Sequence, residues 1–405
     1  MPITLLSRKL RSAQFRMRQA FDQWKENAAS DRKRRGFEAW LAHLRSHPPD
    51  VLVGSNFAEF GGVRGHIRAI RKFSSLNVEL APPDELLRTL DYNDFKTTFK
   101  DAFLNFQPGG IRAVHSHVFP WLIDWCRHNQ ASGSGPRWLH TYHAPYFPDD
   151  AKGGLQPWQE NINQALIDVA RHADVNISVS RWQQDWLSKN HDIDAIYLPN
   201  GVDVEACDKG DAERFTSSIG KMEFVLYVGR NDPVKNPAEF VRLAERMPRQ
   251  QFVMIGRELS ATTLLADWQV TVPKNLVVLG DASHSEVQNA IAACAAIVVT
   301  SKREGLPTVV LEAMTHSKAV VVPNDPGCIE AIGGGVSGLV YVAGDIGDLA
   351  AKTVSALGDT SLGARGRERV MLEYDWRVVA PQLDLLYAAP AITGRPNSPD
   401  GVLQI

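Results

Sequence analysis

The stretch AIVVTSKREGLPTVVLEAM, residues 296–314, contains one complete strand–loop–helix unit. Residues 296–301 are a short apolar run of the kind that predicts a buried strand, and residues 308–314 continue with helical apolar spacing. Pro307 suits the start of a helix, because the first amides of a helix have no partner within it. The stretch therefore predicts a buried strand whose carboxyl end meets the N-terminus of a helix.

The same unit recurs along most of the chain. About eleven apolar runs predict strands: VLVGSNF, IRAVHSH, RWLHTYH, VNISVS, AIYLPN, EFVLYVG, QFVMIG, NLVVLG, AIVVTS, KAVVVPN and LVYV. Helix-start patterns lie between them, including Asn236 before Pro237 and a capping box of Ser283 and Glu286. Such alternation requires parallel sheets covered by helices, and the number of strands exceeds one ordinary doubly wound unit. We therefore expect an α/β protein with two Rossmann-like, doubly wound parallel-sheet domains and a cleft between them.

Composition agrees with an ordinary globular protein. The 405 residues are 44% apolar and 22% charged, and the formal net charge of −2 provides no global attraction for nucleic acid. The four cysteines are dispersed without metal-ligand spacing, which favours a reduced compartment. No apolar run approaches the roughly 18 to 20 residues of a membrane span, and no signal-peptide pattern begins the chain. The expected location is cytoplasmic.

Loops after two further strands carry residues suited to a phosphate-bearing ligand, which doubly wound folds bind at the carboxyl ends of strands. Gly61 and Gly62 form a turn before a helix, where the backbone can approach a ligand closely. In GRNDPVKN (229–236), Arg230 and Lys235 are two cations that could bind both phosphates of a diphosphate. The alternative for the glycine pair is a plain tight turn, and the alternative for the two cations is a solvated charged surface loop.

Two glutamates occupy the opening stretch. Glu304 precedes the helix in the loop, and Glu312 lies a little over one turn inside it, so their carboxylates can reach different hydroxyl groups of one elongated ligand. The free amides at the start of this helix can bind phosphate. The alternative is a pair of surface acids.

GRNDPVKN, EGLPTVVLEAM (304–314) and PNGVD (199–203) together resemble the retaining glycosyltransferases of family 4, the glycosyl transferases group 1. The likeness covers about residues 51–390 and includes the glycine pair, HTYH (140–143) and DWRVVAPQLDLLY (375–387). It implies the GT-B architecture and an activity of class EC 2.4, the transfer of a sugar with retention of anomeric configuration. The implied donor is a nucleotide-diphosphate sugar, and the implied acceptor is a hydroxyl of a glycan, lipid-linked or small-molecule acceptor in cell-surface polysaccharide or glycoconjugate synthesis.

The resemblance also implies residue roles. Arg230 and Lys235 would hold the diphosphate and offset the charge that builds on it as the sugar leaves, and His143 would contact the transferred sugar. The implied catalytic residues are His143, Arg230, Lys235 and Glu304. The implied donor-binding residues are Gly61, Gly62, Arg230, Lys235, Glu304, Gly305, Leu306, Pro307, Thr308 and Glu312. A UDP- or GDP-sugar is the implied co-substrate, with no cofactor and no metal, and His115, His117 and Asn200 are expected to be structural.

The expected domain organisation follows from this pattern. The units are a basic helical extension (1–50), an N-terminal acceptor domain (51–205), a polar linker (206–222), a C-terminal donor domain (223–375), a helix crossing back (376–390) and a flexible tail (391–405). The extension places apolar residues at helical spacing among Lys and Arg: Leu6, Leu10, Met17, Phe21, Trp24, Phe37, Trp40, Leu41 and Leu44. Docking on the body or self-association is the first interpretation, and peripheral contact with an anionic membrane at its inner face is the second.

Two motif matches and two other function classes are disfavoured. Asp192 and Asp194 match a metal-binding DxD pattern but fall between a helix and a strand, and residues 333–338 match GxGxxG but precede a strand instead of following one. A GT-B-shaped sugar-nucleotide epimerase and a non-catalytic sugar-nucleotide binding module are the alternatives to a transferase. The presence of all four charged residues, Arg230, Lys235, Glu304 and Glu312, favours the transferase.

Overall fold

The computed structural model describes residues 25, 27–57, 61–107, 109–133, 135–150, 154–220 and 223–389. Its strands are β1 Val51–Gly54, β2 Val78–Ala81, β3 Ala113–Ser116, β4 Arg137–Tyr142, β5 Val175–Ser178, β6 Ile196–Tyr197, β7 Phe224–Val228, β8 Gln251–Ile255, β9 Leu276–Gly280, β10 Ala296–Val298, β11 Ala319–Pro323 and β12 Leu339–Tyr341.

The helices begin with α1, residues 27–46. They continue with α2 Gly62–Phe73, α3 Lys100–Leu104, α4 Pro120–Ala131, α5 Pro157–Gln164, α6 Arg181–His191, α7 Val204–Cys207, α8 Ala212–Ile219, α9 Pro237–Arg246, α10 Ala261–Trp268, α11 His284–Ala293, α12 Thr308–Thr315, α13 Pro326–Ala331, α14 Ile346–Gly358, α15 Ser361–Arg369 and α16 Trp376–Ala388. Shorter 3-10 or π-helical turns span Leu86–Arg88, Asp94–Thr98, Pro148–Asp150, Ala165–Val169, Ala170–His172 and Val370–Tyr374.

Two six-stranded parallel sheets organise these elements. The strand orders are β2-β1-β3-β4-β5-β6 and β12-β11-β10-β7-β8-β9, each with the reversal typical of doubly wound folds. The predicted fold of two Rossmann-like domains is confirmed, as are the start of α9 at Pro237 and the capping box of Ser283 and Glu286 on α11. In this arrangement the β7, β10 and β11 ends lie side by side, which assembles the loops that carry the charged residues.

Strand β2 was not among the predicted runs. Its four residues, VELA, are interrupted by the charged Glu79, so the segment lacks the continuous apolar run of the other strands. Parallel pairing of Val78–Ala81 with β1 determines this strand.

The polar segment 206–222, expected to be a linker without apolar periodicity, contains helix α8. Asp211 caps that helix by accepting a hydrogen bond from the amide of Arg214, and Phe215 is buried against Phe224 at a ring-centroid distance of 5.6 Å. One cap and one buried aromatic side chain suffice because the helix packs on α11.

Helix α1 docks on the first domain. Phe37, Trp40, Leu41 and Leu44 are buried in the core around β1, β3 and β4, and Trp40 stacks on Phe103 with 5.8 Å between ring centroids. These four side chains are therefore unavailable to a membrane. The other apolar residues of the extension, Leu6, Leu10, Met17, Phe21 and Trp24, lie outside the described residues. Among the described helices, none is long and apolar enough to cross a bilayer.

Helix α16 returns to the first domain after the second sheet is complete. Its buried residues, which include Trp376, Val379 and Leu383, share a core with β1, β2 and α2. At its far end the Tyr387 hydroxyl lies 2.6 Å from Nδ1 of His115, whose Nε2 lies 2.7 Å from the Thr141 hydroxyl. Both ring nitrogens of His115 are satisfied in the core, so the expectation of a structural role fits its surroundings.

Candidate active site

The loop before α12 meets the first domain at the cleft between the two sheets. A Cβ added to Gly305 would overlap the carbonyl oxygen of His143, and a Cβ on Gly62 would lie 3.7 Å from the hydroxyl of Thr308. The glycine turn, the β4 end and the loop before α12 are therefore in direct proximity. Four of the residues predicted for the site come together here from opposite domains.

Lys235 and Glu304 form an ion pair within this cleft. The Lys235 Nζ lies 2.5 Å from Oε1 of Glu304, and their side chains are 27% and 11% exposed. The lysine is positioned through its backbone, because its carbonyl accepts hydrogen bonds from the hydroxyls of Tyr227 and Thr300. Since Tyr227 lies on β7 and Thr300 follows β10, the ends of both strands hold the backbone of Lys235 in place.

Arg230 and Glu312 lie apart from that pair. The Arg230 guanidinium binds the carboxylate of Asp232 at 3.0 Å and is about half exposed. Glu312 is half-buried on α12, and burial raises the pKa of its carboxyl group, while the nearby His284 opposes the shift. Among the described residues, neither of them forms a hydrogen bond or ion pair with Glu304.

Polar contacts between the domains hold the loop before α12 in place. The Asn200 amide donates to the carbonyl of Leu306, and the Trp182 indole donates to the carbonyl of Gly305, both at 2.9 Å. The Glu330 carboxylate accepts hydrogen bonds from the backbone amides of Arg181 and Trp182 at the start of α6. Asn200 belongs to the PNGVD motif, which was the available signal for this contact. No local pattern pointed to Trp182 or Glu330.

Asp325 adds an acidic group beside the loop. Its carboxylate caps α13 by accepting a hydrogen bond from the amide of Cys328 at 3.0 Å. Burial, together with the negative charge of Glu304, raises the pKa of Asp325 to about 6, against the lowering effect of the hydrogen bonds from Cys328. The residue therefore titrates near neutrality next to one of the predicted site residues.

Three histidines converge on the first-domain side of the cleft. His66 lies in α2, while His117 and His143 directly follow β3 and β4, and one ring nitrogen from each lies within 4.8 Å of the others. His117 and His143 are joined by a hydrogen bond of 3.0 Å between Nδ1 and Nε2. Burial lowers the pKa of all three rings, so they are neutral at physiological pH. Among the described residues, these three rings form the group suited to hold a metal ion.

Two family models match the chain. Residues 33–206 match the model for Glycosyltransferase Family 4, and residues 209–370 match the model for glycosyl transferases group 1. The two matches adjoin at α7 and together include both sheets. Each of the two domains that form the cleft therefore matches a glycosyltransferase family model.

Related proteins agree with these matches. The phosphatidyl-myo-inositol mannosyltransferase of Mycobacterium leprae is 27% identical over 323 residues, which is 72% of this chain and 80% of that protein. The D-inositol 3-phosphate glycosyltransferase of Mycolicibacterium smegmatis is 26% identical over 302 residues, which is 69% of this chain and 68% of that protein. In fold, the chain is similar to Anabaena HepE in complex with UDP-glucose, with a TM-score of 0.65 at 14% identity, covering 84% of this chain and 99% of HepE. The chain belongs to family 4 of the GT-B glycosyltransferases and is a transferase of class EC 2.4.

Proposed function

We propose that this glycosyltransferase moves a sugar from a nucleotide-diphosphate sugar to an acceptor hydroxyl with retention of anomeric configuration. The observation that carries the proposal is the Lys235–Glu304 ion pair at the carboxyl ends of β7 and β10, in contact with the loop that meets His143. The partly exposed Lys235 and the unpaired amides at the start of α12 could both bind the negative charges of a diphosphate. The UDP-glucose bound to HepE, a protein of the same fold, supports a UDP-sugar as the first donor to test.

In this proposal the diphosphate lies between Lys235, Arg230 and the first amides of α12. Arg230 is half exposed and bound to a neighbouring aspartate, so its guanidinium can turn to a phosphate at small cost. Lys235 would exchange part of its contact with Glu304 for a phosphate oxygen, which frees the Glu304 carboxylate to accept hydrogen bonds from sugar hydroxyls. Glu312, deeper on α12, would accept hydrogen bonds from the ribose hydroxyls.

The transfer step needs positioning and electrostatics more than a strong base. The bond between the anomeric carbon and the phosphate oxygen breaks, and a bond from the acceptor oxygen to the same carbon forms on the same face. The acceptor proton passes to the departing phosphate oxygen. Lys235 and Arg230 would stabilise the negative charge that develops on that phosphate, the kind of preorganised contact whose removal costs about 10²- to 10³-fold in rate. This route uses no enzyme nucleophile.

The acceptor would enter from the first domain, beside the Gly61–Gly62 turn and His143. The names of the two mycobacterial relatives both specify an inositol-containing acceptor, either lipid-linked or phosphorylated. They support a polyol hydroxyl in a lipid-linked or small-molecule acceptor as the chemical class to screen first.

The test combines a donor screen with a matched pair of lysine variants. Thermal-shift measurements with UDP-, GDP- and ADP-sugars identify the donor, since a ligand that binds only the folded state raises the melting temperature. Lys235→Ala should then lower kcat by about 10²- to 10³-fold. Lys209→Ala is the control, because Lys209 also pairs with a glutamate, Glu205, but on an exposed surface. Transfer by Lys235→Ala at the rate of the control would refute the proposed role.

A binding module without catalysis and a sugar-nucleotide epimerase give different results in the same experiment. A binding module would show the donor-dependent thermal shift without any nucleotide release in the presence of acceptors. An epimerase would convert the donor sugar without an acceptor. Analysis of products by mass spectrometry and of the anomeric proton by NMR distinguishes these outcomes and determines whether configuration is retained.

A further inference from the structure

Helix α6 of the first domain is capped by a residue of the second domain. Its first two amides, those of Arg181 and Trp182, donate hydrogen bonds of 2.9 and 3.2 Å to the carboxylate of Glu330 on α13. Ser180 precedes the helix, but its side chain accepts no hydrogen bond from the described amides of α6. A carboxylate at a helix N-terminus satisfies unpaired amides and interacts favourably with the helix dipole. The start of α6 therefore depends on contact between the two domains.

The sequence of α6 contains a second cap that the structure leaves unformed. Ser180 and Gln183 have the spacing of a capping box, in which the serine hydroxyl accepts from the third helical amide and the glutamine side chain accepts from the serine amide. Ser260 and Ser283 form such boxes on the described helices α10 and α11. Two caps are thus available to the start of α6, and the structure uses the one that comes from the other domain.

Both side chains of the unformed box contain a buried atom that has no hydrogen-bond partner in the described part of the chain. These atoms are Ser180 Oγ and Gln183 Nε2, and both side chains are fully buried. The Gln183 Oε1 lies 3.3 Å from the hydroxyl of Ser178 instead of meeting the Ser180 amide. A buried polar atom without a partner is costly. Formation of the box would give the Ser180 hydroxyl a partner, so loss of the Glu330 contact should favour the box.

The start of α6 also contacts the loop that carries Glu304. The Trp182 indole donates to the carbonyl of Gly305, the next residue of that loop. Helix α13, which carries Glu330, packs against the same backbone, because a Cβ on Gly327 would lie 2.6 Å from the Gly305 carbonyl oxygen. Movement of α6 away from Glu330 would therefore remove the Trp182 hydrogen bond and leave the loop without this support from the first domain.

We propose that Glu330 is a positioning residue for sugar transfer, which holds the loop of Glu304 in place by capping α6 across the cleft. Ser180 and Gln183 form the alternative cap when the domains separate. Substrates that enter between the domains require these contacts to open and re-form, so the two caps determine how readily the cleft closes. The effect on catalysis rests on the donor site proposed above, whereas the exchange of caps can be measured without any substrate.

The first measurement is residue-resolved amide hydrogen exchange of the full chain without substrate. In Glu330→Ala, the amides of Arg181 and Trp182 should exchange about 10-fold faster, because they lose hydrogen bonds to a charged group. The Gln183 amide should exchange more slowly, since it gains the Ser180 hydroxyl as its acceptor. A general loosening of the helix would instead accelerate all three amides.

Ser180→Ala removes the alternative cap and leaves Glu330 in place. Exchange of the Arg181 and Trp182 amides should slow by about fivefold, because the state with separated domains loses a helix cap. Ser283→Ala is the matched control, since it removes a box that the structure does form, and exchange at the start of α11 should accelerate. The same substitution should therefore have opposite effects on the two helices.

The second measurement is steady-state transfer with the donor identified by the thermal-shift screen. Glu330→Ala should raise the KM for the donor by about 10-fold and leave kcat within about threefold, because a less populated closed state lowers apparent affinity and saturating donor restores closure. Glu330→Gln keeps one oxygen that can accept from the α6 amides and should recover part of this affinity. Circular dichroism of each variant establishes that it is folded.

The proposal is overturned if folded Glu330→Ala leaves α6 exchange or the donor KM unchanged, or if it accelerates Gln183 together with its neighbours. Faster exchange at the start of α6 in Ser180→Ala would also overturn it. A chain that transfers no sugar to any acceptor would contradict the function proposed above, and the exchange measurements would still decide how α6 is capped.

Discussion

Replacing Gly305 with alanine should separate the two sides of the cleft without removing any functional group. A Cβ at this position would overlap the carbonyl oxygen of His143 and lie 3.1 Å from the carbonyl carbon. Real Cβ atoms do not come within 3.0 Å of such atoms. Because the clash is between a Cβ fixed to one backbone segment and the backbone of the other, the segments around residues 305 and 143 must move apart by about 1 Å.

The size of the effect follows from what that displacement disturbs. Two hydrogen bonds of 2.9 Å, from Trp182 to Gly305 and from Asn200 to Leu306, cross the cleft at this point, and each contributes about 1 kcal/mol. Misplacing reacting groups by about 1 Å can cost about 10²-fold in rate. We therefore expect kcat/KM for transfer to fall by about 100-fold, equivalent to about 2.7 kcal/mol of transition-state stabilisation.

Steady-state transfer and nucleotide binding should be measured together once the donor is known. Nucleotide affinity should change little, because the proposed diphosphate contacts belong to the second domain. Gly358→Ala is the matched control, since a Cβ there would meet no heavy atom within 4 Å. Unchanged kcat/KM in Gly305→Ala would refute the reasoning. An equal loss of nucleotide binding would instead locate the damage in the donor loop itself.

Three further predictions concern stability. Trp40→Ala should lower the free energy of unfolding by about 3–5 kcal/mol, because the buried indole stacks on Phe103; an unchanged urea midpoint would contradict the docking of α1. Gly201→Ala should lower the free energy of unfolding by about 1–3 kcal/mol, because the added Cβ would lie 2.6 Å from the Trp376 ring. A melting temperature equal to that of the unaltered protein would show that α16 can shift without loss of stability. The pKa of Asp325 is about 6 in the folded protein and 3.8 in the unfolded chain, so the folded state binds this proton more tightly. The resulting contribution to the free energy of unfolding is fully present below pH 3.8 and is lost as the pH rises through 6. Asp325→Asn should therefore be more stable than the unaltered protein at pH 7.5, by up to about 3 kcal/mol, with a smaller difference at pH 4.5; melting curves that shift in parallel with pH would argue against this.

Local patterns predicted most of the elements. Apolar runs identified every strand except β2, because burial on both faces of a parallel sheet selects continuous apolar sequence, and VELA lacks it. The capping box of Ser283 and Glu286 could be recognised since its partners are three residues apart. Helix α8 was missed because it depends on packing against α11, which no local signal reveals.

Apolar runs predicted two parallel sheets, the family motifs implied a glycosyltransferase, and both put Arg230, Lys235, Glu304 and Glu312 in loops and helices at strand ends. Which of those groups meet depends on how the strands are ordered and how the two domains close. Lys235 and Glu304 are in contact although 69 residues separate them in sequence, and Asn200 contacts Leu306 over a separation of 106 residues. Strand order and domain closure bring these strand ends together, whereas spacing along the chain does not. The three histidines converge for the same reason: β1, β3 and β4 are neighbours in the first sheet, so the segments that follow them share one wall of the cleft.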